Sequence, residues 1–229
     1  RYILLFNGEI YNYLELKKKL KKENYRFHSK GDAEVLLKSY LHWGDSFTNK
    51  LDGMFAICIW DRKKKIFSVF RDKFGQKPVY YYKTKKGLIV TSEIKDFKKF
   101  VNLKENINAS KKYIYKSFLD NNNETFFKNI YRLPPSSKLI FKNNKITISK
   151  YWNLKFSEKN NFNKKKFQNK FLKNLKIHMN SDVKIAAELS GGLDSSSLVA
   201  GMKKLKIKFK SFSIKPENTI NEKTFINNF

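Results

Sequence analysis

The sequence predicts an α+β region with mainly antiparallel strands, followed by the start of an α/β region with a parallel sheet. In the first region, GMFAICIWD and IFSVFRD flank a short basic turn and form a hairpin pattern. In the second, VKIAAEL, a helix over residues 195–205 and FKSFSI make a strand–helix–strand unit, which is typical of a parallel sheet. A polar stretch rich in Asn and Lys lies between them. We therefore expect two domains, residues 1–152 and 163–229, joined by a linker over 153–162.

The remaining elements of the first region follow from its apolar spacing and its turn residues. RYILLF predicts a strand that enters a turn at NGEIYN. Helices are expected over about residues 12–23, over DAEVLLKSYLHW from Asp32, at TSEIKDFKKF and over 109–119. A strand resumes after Gly75 and Pro78, GLIVTS forms another, and NNKITIS closes a last hairpin after the RLPP loop.

The second region is expected to begin with a helix. Apolar residues recur there every four positions and share one face: Phe167, Phe171, Leu175 and Met179. The strand–helix–strand unit follows, and residues 221–229 predict the start of another helix.

Composition limits the class of protein. The 229 residues are 41% hydrophobic, which is enough to build cores, and no apolar run reaches membrane-spanning length. The single cysteine, Cys58, excludes an internal disulfide and fits a reducing cytosol. We therefore expect a cytoplasmic protein without a membrane partner.

The charge balance is strongly basic, with 49 Lys and Arg against 20 Asp and Glu and a net charge of +29. A basic nucleic-acid-binding module is one interpretation. The lysines are scattered, however, as in Lys17–Lys19, Lys63–Lys65 and Lys164–Lys166, and they accompany abundant Asn, Ile, Phe and Tyr, which A/T-rich codons also encode. We favour this compositional bias and expect no nucleic-acid partner.

A loop of glycines and serines, ELSGGLDSSS over residues 188–197, joins the first strand of the second region to its helix. Backbone N–H groups and the helix N-terminus converge there, which predicts an anion site. Gly191 and Gly192 allow close approach of a ligand, the hydroxyls of Ser190, Ser195 and Ser196 donate hydrogen bonds, and the Asp194 carboxylate suits Mg²⁺. The alternative is a Ser-rich helix cap, which an SGGLDS pattern after an apolar strand disfavours.

SGGLDSSSL resembles the PP-loop of ATP pyrophosphatases, and SDVKIAAELSGGLDSS is similar to the corresponding stretch of glutamine-hydrolysing asparagine synthetases. The resemblance implies that the pyrophosphate of ATP and its Mg²⁺ are bound by the loop, with Asp194 as the metal ligand through the pyrophosphate. It also implies that Leu189 and Ile214 contact the nucleoside, in keeping with ligand sites at the carboxyl ends of parallel strands. The implied loop residues are Ser190, Gly191, Gly192, Asp194 and Ser195.

Six motifs in the first region occur in the order found in the glutaminase half of the same family: FNGEIYN, GDAEV, LDGMFAICIWD, RDKFGQKPVYY, TSEIK and RLPP. The chain thus resembles a class II glutamine amidotransferase domain of the N-terminal-nucleophile type, with a layered αββα fold, followed by the start of a synthetase domain. The resemblance implies that Asn7 and Gly8 form the oxyanion hole and that Glu9 and Asp32 also receive glutamine. Without the other motifs, Asn7–Gly8 would be interpreted as an ordinary hairpin turn.

The resemblance implies an enzyme that makes asparagine from aspartate. Aspartate reacts with MgATP to give β-aspartyl-AMP and pyrophosphate, and ammonia from glutamine then amidates the activated acyl group. The expected substrates are glutamine, aspartate and ATP. An enzyme of the same kind that acts on another carboxylate, in a polysaccharide or natural-product pathway, stays open, and so does a homodimer.

The nucleophile of this family is a cysteine at the extreme amino terminus, whose α-amine acts as the base. This chain begins and ends inside predicted elements, so we expect an internal fragment that is catalytically inactive alone. Cys58 lies in an alternating strand and is expected to pack in the core. The sequence departs from the family at Lys184–Ala186 and at Asn221–Glu222, outside the SGGLDS loop.

Overall fold

The computed structural model describes residues 1–117, 123–156 and 162–213. The chain divides into two compact units, Arg1–Lys155 and Phe156–Phe229. None of the helices in the described ranges combines the length and the apolar character needed to cross a membrane.

A five-stranded antiparallel sheet forms the centre of the first unit. Its strands lie in the order β1, β2, β3, β7, β8. Their bounds are Tyr2–Ile10, Gly53–Asp61, Ile66–Arg71, Ser137–Lys142 and Lys145–Lys150. The hairpins predicted at the second and third strands and at the last two are confirmed.

A smaller antiparallel sheet has the order β5, β4, β6, with bounds Leu88–Thr91, Tyr80–Lys83 and Ile130–Arg132. The helices of this unit are α1 (Tyr13–Lys22), α2 (Asp32–Trp43) and α3 (Ile107–Lys116), with 3-10 helices over Gly44–Lys50 and Ile94–Lys99. The helices expected in these regions are confirmed, although TSEIKDFKKF forms a 3-10 helix. Residues 118 and 119 of the helix predicted over 109–119 lie outside the described residues.

The turn predicted at NGEIYN is wrong at its first four residues, because β1 continues through Asn7–Ile10. Every residue from Tyr2 to Ile10 has a partner in β2, and this long-range ladder overrides the local Asn-Gly turn signal. Gly8 has φ +152°, and a Cβ atom there would lie 2.1 Å from the Met54 carbonyl oxygen. Position 8 therefore needs glycine for close strand approach rather than for a turn.

The two faces of the five-stranded sheet bury different cores. One face packs against α1 and α2, where Leu16, Leu20 and Leu36 are at most 1% exposed, and contributes Ile57 and Phe70 to the same cluster. The opposite face buries Val69 and Leu139 together with residues of the smaller sheet, so the sheets pack face to face.

On the outer side of the smaller sheet, Tyr82 of β4 contacts the buried Phe97 of the second 3-10 helix, with ring centroids 6.4 Å apart. Tyr81, its neighbour in β4, packs into the core between the sheets. The layers are therefore helices, sheet, sheet and a short helical segment, and the layered αββα prediction is confirmed.

The second unit contains α4 (Lys164–His178), β9 (Ile185–Glu188), α5 (Leu193–Lys204) and β10 (Phe209–Phe212). β9 and β10 are parallel, with Ile185 opposite Phe209, as the strand–helix–strand pattern predicts. In α4, Leu175 is buried whereas Phe167 is 61% exposed, so the four-residue spacing marks a face that is covered only in part. The helix predicted over 221–229 lies outside the described residues.

Candidate functional site

The end of β1 carries three of the residues that the family resemblance assigns to glutamine. Strand alternation places the Asn7 and Glu9 side chains on one exposed face of β1, and Gly8 lies between them. The Asn7 side-chain amide donates from Nδ2 to Ser92 Oγ at 3.2 Å. Ser92 follows β5, so this hydrogen bond joins the two sheets at the exposed end of β1.

The Gly8 backbone N–H points away from β2. Bonded pairs alternate along an antiparallel ladder, and two hydrogen bonds fix the alternation here: Tyr11 N–H to the Asp52 carbonyl at 2.8 Å and Arg62 N–H to the Arg1 carbonyl at 3.0 Å. Gly8 is opposite Phe55 and falls between bonded pairs. Its N–H therefore lies at the outer edge of the sheet, on the side where β1 has no strand neighbour among the described residues.

Asp32 reaches the same end of β1 from the first turn of α2. Its Oδ2 accepts a hydrogen bond from the Ile10 N–H at 3.0 Å, on the outer edge where the Gly8 N–H also lies. The structure thus brings the four predicted residues Asn7, Gly8, Glu9 and Asp32 to one end of one strand. One carboxylate oxygen of Asp32 is engaged by the backbone.

The turn that follows β1 is rich in acidic groups. Burial raises the pKa of the Tyr11 hydroxyl above its ordinary range, and the nearby carboxylates of Glu9, Asp52 and Asp72 raise it further. Asn12 ties this turn to the residues before β2, because its amide donates to the Lys50 carbonyl at 2.9 Å and accepts from the Asp52 N–H at 3.0 Å. The turn after β1 is therefore fixed to the segment before β2.

Asp72 is hydrogen-bonded to β2, the strand that pairs with β1. The sequence indicates this residue only as part of the RDKFGQKPVYY motif. Its carboxylate is buried, at 1% exposure, and accepts four backbone hydrogen bonds. Oδ1 accepts from Phe74 at 3.1 Å and Gln76 at 2.9 Å, and Oδ2 accepts from Lys77 at 2.9 Å and Phe55 at 3.2 Å. An Asp that precedes a glycine-containing turn is a signal for such bonding.

Arg71 holds the other side of the same turn. Its guanidinium donates to the carbonyls of Lys77 at 2.8 Å, Leu133 at 2.6 Å and Gly75 at 2.7 Å. Leu133 belongs to the RLPP motif, so the arginine joins two motifs that are 62 residues apart. The Arg71 side chain therefore fixes the RDKFGQKP turn against the RLPP segment.

Cys58 lies in β2 and packs against the core between the sheets, as expected. Burial raises the pKa of its thiol to about 12. A thiol that stays protonated at neutral pH is a poor nucleophile.

The second candidate site is the loop between β9 and α5. Gly191 has φ +81°, in the left-handed region, whereas Gly192 is extended at φ −71° and caps α5. Ser195 Oγ accepts from the Ser190 N–H at 3.3 Å, lies 3.1 Å from Ser190 Oγ and donates to the Gly192 carbonyl at 3.2 Å. The loop is thus closed on itself by Ser195, with the α5 N-terminus beside it.

Other loop residues differ in exposure. Leu189 is buried, whereas Ser190 and Asp194 are exposed. Ser196 is buried, and its hydroxyl has no hydrogen-bond partner in the described part of the chain. Ile214, assigned to the nucleoside, lies outside the described residues.

This donor set suits a polyphosphate. Backbone N–H groups of a left-handed turn, an α-helix N-terminus and hydroxyls all donate to anionic oxygens, and the exposed Asp194 carboxylate has the oxygen ligands that Mg²⁺ prefers. Within the described ranges, no cluster of three or more His, Cys, Asp or Glu side chains could hold a metal by itself.

Comparison with known proteins divides the sequence between two families. Residues 1–152 match a glutamine amidotransferase domain, and residues 166–227 match the asparagine synthase family. A protein named glutamine-hydrolysing asparagine synthetase 2 from Methanocaldococcus jannaschii is 39% identical over 98% of this chain and 45% of its own length. Asparagine synthetase 1 of Bacillus subtilis is 32% identical over 93% of this chain and 34% of its own length.

Other matches carry other names. A protein named amidase chyE from Penicillium rubens is 32% identical over 86% of this chain and 30% of its own length. A solved glutamine phosphoribosylpyrophosphate amidotransferase from B. subtilis aligns with 97% of this chain and 50% of its own, at 16% identity and a TM-score of 0.49. The chain spans less than half the length of these curated relatives.

Proposed function

The chain belongs to the glutamine-hydrolysing asparagine synthetase family, and on this premise we propose that its full-length protein makes asparagine from aspartate, glutamine and ATP. The glutamine amidotransferase half releases ammonia from glutamine, and the synthetase half activates aspartate as β-aspartyl-AMP. The observation that carries the proposal is the pair of donors at the end of β1, the Asn7 amide and the Gly8 N–H, beside an acidic turn.

Hydrolysis of the glutamine side chain passes through a tetrahedral oxyanion. Two donors held on a rigid strand stabilise such a charge, because they need no reorganisation as it develops. In the proposed site, Asn7 Nδ2 and the Gly8 N–H supply these donors. The nucleophile would be a terminal cysteine of the full-length protein, as in the family.

The α-ammonium group of glutamine requires negative partners. Glu9 lies two residues from Asn7 on the same face, and Asp32 reaches the same strand end. We assign the ammonium group to these two carboxylates. The Asp32 oxygen that would bind it is the one that does not accept from Ile10.

The test for the amidotransferase half is glutamine hydrolysis by the full-length protein, followed as glutamate release. Asn7→Ala should lower kcat by about 100-fold, the cost of one oxyanion donor. Glu9→Gln should instead raise the KM for glutamine. Glu15→Gln is the matched control, because Glu15 is exposed on α1, where it forms an ion pair with Lys19 one helical turn away. Full glutaminase activity of Asn7→Ala would refute the assignment.

In the synthetase half, the loop from Ser190 to Ser195 would hold the pyrophosphate portion of ATP. Asp194 would hold Mg²⁺ through that group, and Mg²⁺ would neutralise charge on the leaving pyrophosphate. The buried Ser196 hydroxyl, which has no partner within the described residues, is a further hydrogen-bonding group at the start of α5. Asp194→Asn should abolish AMP formation while glutaminase activity of the other half persists.

The 229-residue polypeptide alone is proposed to be inactive toward glutamine. Its single cysteine is Cys58, which is partly buried, packs against the core and has a raised pKa. Measurable glutamate release by these residues alone would refute this.

One alternative keeps the mechanism and changes the acceptor. It is supported by the relatives named amidases, each of which matches over 86% of the chain. Full-length protein supplied with MgATP, glutamine and one carboxylate at a time distinguishes the two. Aspartate-dependent AMP with an equal amount of asparagine supports the synthetase, whereas AMP only with another carboxylate supports the alternative.

A further inference from the structure

We propose that Ser92 is a positioning residue for the amidotransferase site, which acts by fixing the direction of the Asn7 side-chain amide. The proposal rests on the oxyanion role proposed above for Asn7. Its basis is the hydrogen bond from Asn7 Nδ2 to Ser92 Oγ at 3.2 Å, which joins residues that are 85 apart in sequence.

The Asn7 side chain would otherwise rotate freely. It is exposed on β1, and Ser92 Oγ is the partner that the structure gives its amide. A carboxamide is planar and carries two N–H groups on one nitrogen. When one N–H donates to Ser92, the direction of the other is fixed, and that second N–H can donate to an oxyanion.

Ser92 itself stands on rigid backbone. It directly follows β5, whose last residue, Thr91, is opposite Tyr80 of β4. The Thr91 hydroxyl donates to the Glu93 carbonyl at 2.9 Å and closes the turn around Ser92. The helix that follows is anchored by Phe97, which is fully buried. The turn after β5 thus presents the Ser92 oxygen to the exposed Asn7 side chain of the larger sheet.

This placement has a kinetic consequence. An N–H donor whose direction is not fixed stabilises the transition state less than one held in place. The fixing of its direction has little effect on the binding of the substrate in its ground state. Loss of the Ser92 hydroxyl should therefore lower kcat for glutamine hydrolysis by about tenfold, which is less than the ~100-fold expected when the donor itself is removed. The KM for glutamine should change less than about twofold.

The experiment is a double-mutant cycle on the full-length protein, with Ser92→Ala, Asn7→Ala and the two combined. We expect the combined variant to be no slower than Asn7→Ala alone, because Ser92 acts only through Asn7. Ser92→Thr keeps the hydroxyl and should recover most of the lost kcat. Ser46→Ala is the matched control: Ser46 lies in the 3-10 helix after α2 and donates to the Trp43 carbonyl at the end of α2, so its loss should leave kcat unchanged.

The outcomes separate this proposal from the one on which it rests. Full activity of Asn7→Ala would overturn both. A slow Asn7→Ala with an unaffected Ser92→Ala would overturn only the role of Ser92, as would effects that multiply in the combined variant. If Ser92→Ala also loses ammonia-dependent synthesis and has a lower melting temperature, a folding defect explains its slow hydrolysis of glutamine, and Ser92→Thr is then the deciding variant. A Thr variant that folds normally but still hydrolyses glutamine slowly overturns the proposal.

Discussion

Asp72 and Phe55 are joined by two hydrogen bonds that bracket one strand position: the Phe55 N–H donates to Asp72 Oδ2 at 3.2 Å, and the Asp72 N–H donates to the Phe55 carbonyl at 2.9 Å. Phe55 lies directly opposite Gly8 in the ladder between β1 and β2. The bonds of Asp72 therefore hold the backbone of the residue that lies opposite the proposed oxyanion donor.

Replacement of Asp72 by Asn should strongly destabilise the first unit. Each carboxylate oxygen accepts two N–H groups, so the new amide NH₂ must face two donors wherever it points. We expect a loss of about 2–4 kcal/mol of unfolding free energy. Urea unfolding followed by tryptophan fluorescence measures it, because all three tryptophans, Trp43, Trp60 and Trp152, lie in the first unit.

The control for Asp72 is Asp45→Asn, which removes an exposed ion pair with Lys138 and should cost less than about 1 kcal/mol. Equal losses from the two variants would contradict the role given to the buried carboxylate.

Replacement of Gly8 by Ala should break the pairing of β1 with β2. The new Cβ would lie 2.1 Å from the Met54 carbonyl oxygen and 2.7 Å from Phe55 Cα, and neither atom can move without the strand. We expect a loss of about 3 kcal/mol or more in the same fluorescence experiment. Gly87→Ala is the control, because a Cβ there meets nothing within 4 Å. A stable, fully folded Gly8→Ala would show that the two strands are less closely paired.

The ion pair between Arg1 and Asp61 should stabilise the fold in a pH-dependent manner. The Arg1 guanidinium lowers the pKa of Asp61 from 3.8 to about 2, with help from the N–H groups of Lys63 and Lys64. Because the folded pKa lies below the ordinary value, the stabilisation is complete above about pH 4 and is lost as the pH falls toward 2.

Comparison of wild type with Asp61→Asn tests this pH dependence. The difference between their urea midpoints should be constant near neutral pH and should vanish between pH 4 and about pH 2. Arg1→Ala should show the same convergence, since it removes the partner. A difference that persists to the lowest pH would contradict the pairing.

Cys58 should be nearly inert to thiol reagents in the folded chain. Its pKa is raised from 9.0 to about 12, so the thiolate fraction at a given pH falls about a thousandfold, and burial blocks access as well. Ellman's reagent at pH 8 should release less than one equivalent over hours from the native chain, and one equivalent quickly in guanidinium. Fast reaction of the native chain would contradict the packing of β2.

Local sequence pattern was sufficient to predict a helix or strand wherever the residues of that element determine its structure. DAEVLLKSYLHW has helical spacing and forms α2 over Asp32–Trp43, and the basic turn between GMFAICIWD and IFSVFRD forms the predicted hairpin. The parallel pairing of β9 with β10 also followed from the order of its elements. In each case the stabilising partner is close in sequence or is implied by topology.

Pattern was insufficient where a distant partner decides the structure. Asn7–Gly8 has the composition of a turn, and only its ladder with β2, about 50 residues away, keeps it extended. The bond from Asn7 to Ser92 has no local signal at all, since Asn7 lies in the larger sheet and Ser92 follows a strand of the smaller one, 85 residues later. The four amides that converge on Asp72 likewise depend on how its turn folds back on β2.

The outer edge of β1, toward which the Gly8 N–H points, favours aggregation in solution. The even-numbered residues of β1 direct their amides and carbonyls away from β2, and no described strand pairs with β1 on that side, although Asp32 accepts from the Ile10 N–H. Ile3 and Leu5 lie at this margin of the sheet and are 50% and 65% exposed. Such a margin is a template for strands of other molecules. A preparation of these 229 residues should therefore aggregate as its concentration rises, and Leu5→Lys, which places a charge on that margin, should delay the rise in light scattering.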